Sequence, residues 1–129
     1  MVSARTAFSG FSVDDLGRAA QFYRHTLELP VQDTGMGLQL SLPGGGTVFV
    51  YPKPDHQPAT FTILNFEVDD IDAAVAELTG RGVVFLQYPG LPMAQETSGI
   101  ARGDAAHGPS IAWFTDPAGN ILAVLQNVA

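Results

Sequence analysis

The chain contains no cysteine and few basic residues, with 6 Lys and Arg against 13 Asp and Glu in 129 residues and a net charge of −7. Without thiols there is neither a disulfide framework nor a thiolate metal site, and a cytoplasmic protein is the default expectation. The bases are scattered, whereas affinity for a phosphate backbone needs them clustered, so nucleic acid is not an expected partner. No apolar run reaches the ~18 residues of a membrane helix, so no membrane partner is expected either. Behind the positive charge of Met1-Val2-Ser3-Ala4-Arg5-Thr6 there is no apolar stretch of the kind a secretory signal carries. The excess of acid mainly favours solubility.

Carbon is in good supply. The hydrophobic fraction is 46%, and a chain of this length buries roughly two thirds of the surface it exposes when unfolded. That is enough for a core without staples and predicts one domain over 1–129.

An internal repeat organises that domain. Phe11-Ser12-Val13-Asp14-Asp15-Leu16 and Phe66-Glu67-Val68-Asp69-Asp70-Ile71 read aromatic, polar, Val, Asp, Asp, branched aliphatic, at an offset of 55. In each copy an alternating strand ends at paired aspartates, and an Asp there caps the free N–H groups of a following helix. The helices space apolar residues at i, i+3/i+4: Leu16, Ala19, Tyr23 and Leu27, then Ile71, Ala74, Val75 and Leu78. Gly82 stops the second. A second correspondence pairs Pro43-Gly44-Gly45-Gly46-Thr47-Val48-Phe49-Val50 with Pro117-Ala118-Gly119-Asn120-Ile121-Leu122-Ala123-Val124, each a turn joining two strands. Its offset is 74, so the second copy holds extra residues, which fall between Tyr88 and Pro109. That segment reads as an irregular loop, functional or mobile.

The predicted order is strand 6–13, helix 15–28, and strands 31–34, 37–42 and 47–52 in module one (1–53). A linker follows. Module two (60–129) has strand 61–68, helix 70–81, and strands 84–87, 110–115 and 121–127.

This pattern resembles the vicinal oxygen chelate (glyoxalase/bleomycin-resistance/dioxygenase) superfamily over essentially the whole chain. The residues carrying the likeness are the Val13-Asp14-Asp15 and Val68-Asp69-Asp70 helix starts, Arg18-Ala19-Ala20-Gln21-Phe22-Tyr23, and Trp113-Phe114-Thr115-Asp116-Pro117-Ala118-Gly119-Asn120. Arg81-Gly82-Val83 and Tyr88-Pro89-Gly90-Leu91-Pro92 resemble a bacterial branch of it. The resemblance implies an α+β fold of two βαβββ modules, their eight strands forming an incomplete barrel around a cleft. In active members a divalent metal sits there, held from the first and last strands of each module.

Carried over residue by residue, the four ligand positions are Phe8, Phe49, Ile63 and Ala123. All are carbon side chains, and a divalent ion needs O or N donors. A slip of one residue offers only Ser9, Ala7, Leu64, Leu122 or Val50, on the wrong face. The expectation is a branch lacking the metal ligands, without a cofactor. His25, His56 and His107 show no spacing of a ligand pair.

By period-two alternation the cleft face carries Phe8, Gly10 and Ser12, then Ile63, Asn65 and Glu67, with Phe49, Tyr51, Ala123 and Leu125 on the matching strands. The candidate ligand-binding residues are Phe8, Phe49, Tyr51, Ile63, Asn65, Glu67, Trp113 and Ala123. A concave apolar pocket with a few polar groups suits a small molecule; alternatively Phe8 and Phe49 fill a collapsed cleft. Glu67 is either a buried general base or a solvated rim residue. His107 either reaches a ligand from its loop or stays in water, and Trp113 either walls the cleft or packs under a helix. Gly44-Gly45-Gly46 lacks the Lys-Ser/Thr and helix of a phosphate loop, no Gly-x-Ser-x-Gly elbow exists, and Arg102-Gly103-Asp104 is read as chance.

The leading expectation is a homodimeric binding protein for a small apolar or aromatic molecule. The alternatives are a glyoxalase-type lyase, isomerase or dioxygenase, a metal-free acid–base enzyme using Glu67, and an accessory domain with a filled cleft.

Overall fold

A computed structural model describes residues 2–128. The chain divides into two compact units, with the division between Pro58 and Ala59. In the first, strand β1 (Ser9–Val13) leads into helix α1 (Leu16–Gln21) and a π-helical turn, Phe22–Thr26, followed by β2 (Val31–Asp33), β3 (Leu38–Ser41) and β4 (Thr47–Pro52). These strands form a mixed sheet in the order β1-β4-β3-β2. In the second unit β5 (Thr62–Glu67), α2 (Ile71–Gly80), β6 (Ser110–Thr115) and β7 (Ile121–Gln126) follow, with sheet order β5-β7-β6.

The second aspartate of each pair is the helix cap. Asp15 Oδ1 accepts from the Arg18 N–H at 3.0 Å and Asp70 Oδ1 from the Ala73 N–H at 3.1 Å. The predicted first helix, 15–28, departs from α geometry halfway, where the Leu27 N–H reaches back to the Phe22 carbonyl. Glu28, at φ 56, ends it in the left-handed region. Tyr23 is fully buried in this turn, tilted against Phe11 at 5.9 Å and edge-on to Phe22 at 5.2 Å.

The two sequence offsets are consistent with one another in the sheets. Gly10 faces Phe49 across β1 and β4, and Asn65 faces Ala123 across β5 and β7; the offset of 55 relates the first members and 74 the second. Gln39 opposite Phe49 likewise matches Trp113 opposite Ala123. Core residues alternate accordingly: Leu38, Leu40, Val48 and Val50 are buried in the first sheet, and Ala112, Phe114, Leu122 and Val124 in the second.

Of the eight strands expected, seven form among the described residues, in two mixed sheets of four and three strands. The missing strand is 84–87. The Leu86 N–H does donate to the Trp113 carbonyl, at 2.8 Å, but its carbonyl is taken by the Gln95 amide at 2.7 Å, and Gln95 Oε1 accepts from the Tyr88 N–H at 2.8 Å. One side chain thus occupies backbone groups that a ladder would have used. A smaller correction falls at the chain start, where the strand predicted from residue 6 begins at Ser9.

The extra segment of the second unit is built rather than irregular. Ala101 bridges to Ile111 at the edge of β6 and to Gln95 within the segment, and both Ile100 and Ala101 are buried. Arg102 donates two bonds to the Asp72 carboxylate on α2, at 2.9 and 2.5 Å, and two to Glu96, at 2.6 and 3.1 Å. Those hydrogen bonds hold the Asp72 and Glu96 carboxyls below their ordinary range. The clamp is therefore at full strength above that range and is lost as pH falls through the lowered values.

Candidate functional site

The face of the first sheet turned away from Val48 and Val50 carries Thr47, Phe49 and Tyr51 from β4 and Gln39 from β3. Gly10 shares it: a Cβ built there would meet the Phe49 Cβ and Tyr51 Cε1, each at 4.0 Å. The Phe49 and Tyr51 rings stack at 6.0 Å and 17°. Two residues apart on one strand, they stand side by side on this face. Phe49 settles over Gly37, where any side chain would collide with its ring.

A groove of about 280 Å3 opens beside these residues, lined by Phe8, Met36, Gln39, Thr47, Val48 and Phe49. Phe8 is 65% exposed and Met36 78%. The lining is carbon-rich, with one amide and one hydroxyl as polar groups and no charge. Its volume lies just below the roughly 300–1,000 Å3 usual for ligand sites, which points to a small guest.

Of the sequence-derived candidates, the structure therefore brings together Phe8, Phe49 and Tyr51. The others belong to the second sheet. Asn65, Ala123 and Trp113 form one row across β5, β7 and β6. Asn65 is exposed, Ala123 fully buried, and Trp113 half-buried with Tyr88 edge-on to it at 5.1 Å. Ile63 lies where the β5–β7 register shifts, between Thr62 and Leu64. Glu67, opposite Leu125, is exposed, the solvated alternative of its two readings. His107 stands exposed in its loop against the Asp104 carboxylate, Nδ1 to the two oxygens at 2.8 and 3.0 Å. That contact holds the Asp104 carboxyl below its usual range.

Met36, Gln39, Thr47 and Val48 escaped the sequence reading. Gln39 was within reach, since pairing the two predicted strands of the hairpin sets it opposite Phe49. Met36 sits in the turn before β3, where periodicity has no purchase.

Active members of the family that the sequence resembles hold a divalent metal, and its fit is tested by the donor set. Phe8, Phe49, Ile63 and Ala123 present carbon only, and Ala123 is wholly buried. Among the described residues no group of three or more His, Asp or Glu is placed to share an ion. These positions do not fit a metal, and no chemical step is assigned to one. Nor is any helix among the described residues long and apolar enough to cross a membrane.

The family model of the Glyoxalase/Bleomycin resistance protein/Dioxygenase superfamily matches residues 6–124. No curated protein matches by sequence. Solved structures do match in fold. TnmS3, an antibiotic binding protein from Streptomyces sp. CB03234, is 23% identical with a TM-score of 0.69, covering 99% of each chain. A putative glyoxalase family protein from Bacillus anthracis is 16% identical at 0.67, over 99% of this chain and all of its own. The fosfomycin resistance protein FosX from Listeria monocytogenes is 13% identical at 0.71, over 99% and 96%.

Proposed function

Because the chain belongs to the Glyoxalase/Bleomycin resistance protein/Dioxygenase superfamily, we propose that it is a binding protein holding a small apolar or aromatic molecule against the open face of its first sheet. The observation that carries this reading is the groove beside Phe8 and Phe49. A phenyl ring left as exposed as Phe8 forgoes part of the roughly 1.5–3 kcal/mol that full burial provides. An apolar guest laid across Phe8, Met36 and Phe49 recovers it. A flat guest also gains from stacking on a ring already aligned by its neighbour Tyr51. The antibiotic-binding role in the description of TnmS3 supports the same reading.

A thermal-shift series with planar aromatic compounds tests it. At least one two-ring compound is expected to raise the unfolding midpoint, and Phe49→Ala to weaken its binding about tenfold, the loss of one central aromatic contact. If no aromatic compound stabilises the wild type, the reading is wrong.

The protein is further proposed to act as a homodimer, in keeping with the resemblance and with the edge strands β1 and β2 of the first sheet and β5 of the second. Light scattering on the eluted protein should return twice the 13.6 kDa chain mass. A monomer mass would refute it.

A further inference from the structure

We infer that the guest of the first sheet is a neutral, flat molecule with a cyclic amide, received by the Gln39 carboxamide and the Thr47 hydroxyl; this rests on the binding reading above. Of the six residues that line the groove, only Gln39 and Thr47 bring polar side chains. Gln39 is exposed and Thr47 half-buried. Neither side chain has a hydrogen-bonding partner among the described residues. The amide and the hydroxyl therefore both stand open to a guest.

The register sets both groups around one ring. Gln39 stands directly opposite Phe49 across β3 and β4, which brings their Cβ atoms to roughly 4.5–5.5 Å. Thr47 lies two residues before Phe49 on β4 and so shares its face, roughly 7 Å along the strand. The Phe49 ring leans the other way, over Gly37, where an added Cβ would lie 2.7 Å from its Cζ. Gly37 precedes Gln39 by two residues, toward the Tyr51 end of this antiparallel pair. Space is thereby left on the Thr47 side of the ring. Phe8, one residue ahead of the pairing of Ser9 with Val48, brings its exposed ring to that end of the groove. A flat guest lying against Phe49 from that side meets the amide at its β3 edge and the hydroxyl on β4.

The two groups also select the guest. A carboxamide carries an acceptor oxygen and a donor nitrogen side by side. The partner that matches it is another amide held cis, as in a lactam ring, which returns N–H to C=O and C=O to N–H in two parallel bonds. Turning the Gln39 amide over exchanges its ends, so the match holds from either side. The lactam carbonyl has a second lone pair, to which the Thr47 hydroxyl donates. Charged guests are disfavoured. A carboxylate offers no donor to the Gln39 oxygen and meets no cation in the lining, on a chain of net charge −7, and an ammonium group meets no carboxylate there. A plain hydrocarbon over the same residues would strip water from the amide and return no bond.

Isothermal titration of the intact protein with 2-quinolone and with 1-methyl-2-quinolone separates the amide edge from the shared rings, since the methyl group removes only the N–H donor. The wild type is expected to bind 2-quinolone about five- to tenfold more tightly, the effect of one hydrogen bond. Gln39→Met, of similar length and without the amide, should bring that ratio close to one. Thr47→Val removes the donor that both carbonyls share, so it should weaken both probes by about the same factor and leave their ratio unchanged. The ratio compares two probes on one variant, so a loss of stability alone would not move it. Equal affinities in the wild type, or a preference that survives Gln39→Met, overturn the amide inference while aromatic binding stands. Unaltered affinities in Thr47→Val overturn the part given to the hydroxyl. If neither probe binds, the amide inference falls, and the aromatic reading falls with it only where the thermal-shift series is empty too.

Discussion

Gly37→Ala is expected to lower stability by about 3 kcal/mol, the upper part of the range for overpacking a dense site, and to abolish aromatic binding at the first sheet. Gly37 is buried immediately before β3. A Cβ there would overlap the Val50 carbonyl oxygen and lie 2.7 Å from Phe49 Cζ and 2.9 Å from its Cε1. The ring can swing away, at the expense of the groove wall it forms. The carbonyl cannot, because Val50 is paired on both sides, with Leu38 in β3 and Phe11 in β1. Relief therefore means parting the sheet at its central strand. For a chain of this size the expected fall in midpoint is on the order of 10 °C, read by thermal unfolding, with titration of an aromatic probe as the second measurement. A variant with an unchanged midpoint and intact binding would show that the β3–β4 approach is looser than described.

The other large effect lies in the second sheet. Phe114 is fully buried on β6, edge-on to Phe85 at 5.5 Å and opposite Leu122 on β7. Phe114→Ala removes the ring and leaves a void that flanking strands, tied by their ladders, cannot close. The expected loss is about 3–5 kcal/mol, a large share of the 5–15 kcal/mol typical of a whole domain. Phe114→Leu keeps most of the volume and should cost under about 1.5 kcal/mol. Denaturant unfolding of both variants distinguishes a volume effect from a requirement for the aromatic ring itself: similar losses for Leu and Ala would argue against the cavity account.

These contacts differ in how far the sequence discloses them. The repeat of Phe11–Leu16 in Phe66–Ile71 shows both helix starts and their Asp15 and Asp70 caps, because caps and alternating strands leave local, periodic traces. The offset of 74 leads equally well to the hairpin strands β3–β4 and β6–β7. Of the site, Phe8 and Phe49 follow from the ligand positions that the family resemblance implies, and Tyr51 from the alternation beside them. What escapes is contact made by single side chains across long separations. The Gln95 amide standing in for a strand beside Leu86, Arg102 gripping Asp72, and His56 meeting Ser12 have no periodicity and no motif. Arg102 in particular looks accidental in the sequence, yet two of its four donated bonds tie the added segment to Asp72 on α2 and the other two brace it on Glu96 within the segment. Segment 84–87 misleads in the opposite direction, since its composition suits a strand whose backbone partners are taken.

The long segment between Leu86 and Ser110 also bears on the order in which the chain assembles. Pairing β1 with β4 closes the chain from Gly10 to Phe49, whereas pairing β5 with β7 must wait for the chain from Asn65 to Ala123. The thermodynamic penalty of the longer closure is slight, about 0.4 kcal/mol, because closure entropy grows only with the logarithm of length. Timing is affected more. Synthesis at roughly 5–20 residues per second delivers all four strands of the first sheet seconds before the last strand of the second, so the aromatic face of the first is complete while its sister sheet still lacks the strand at its centre.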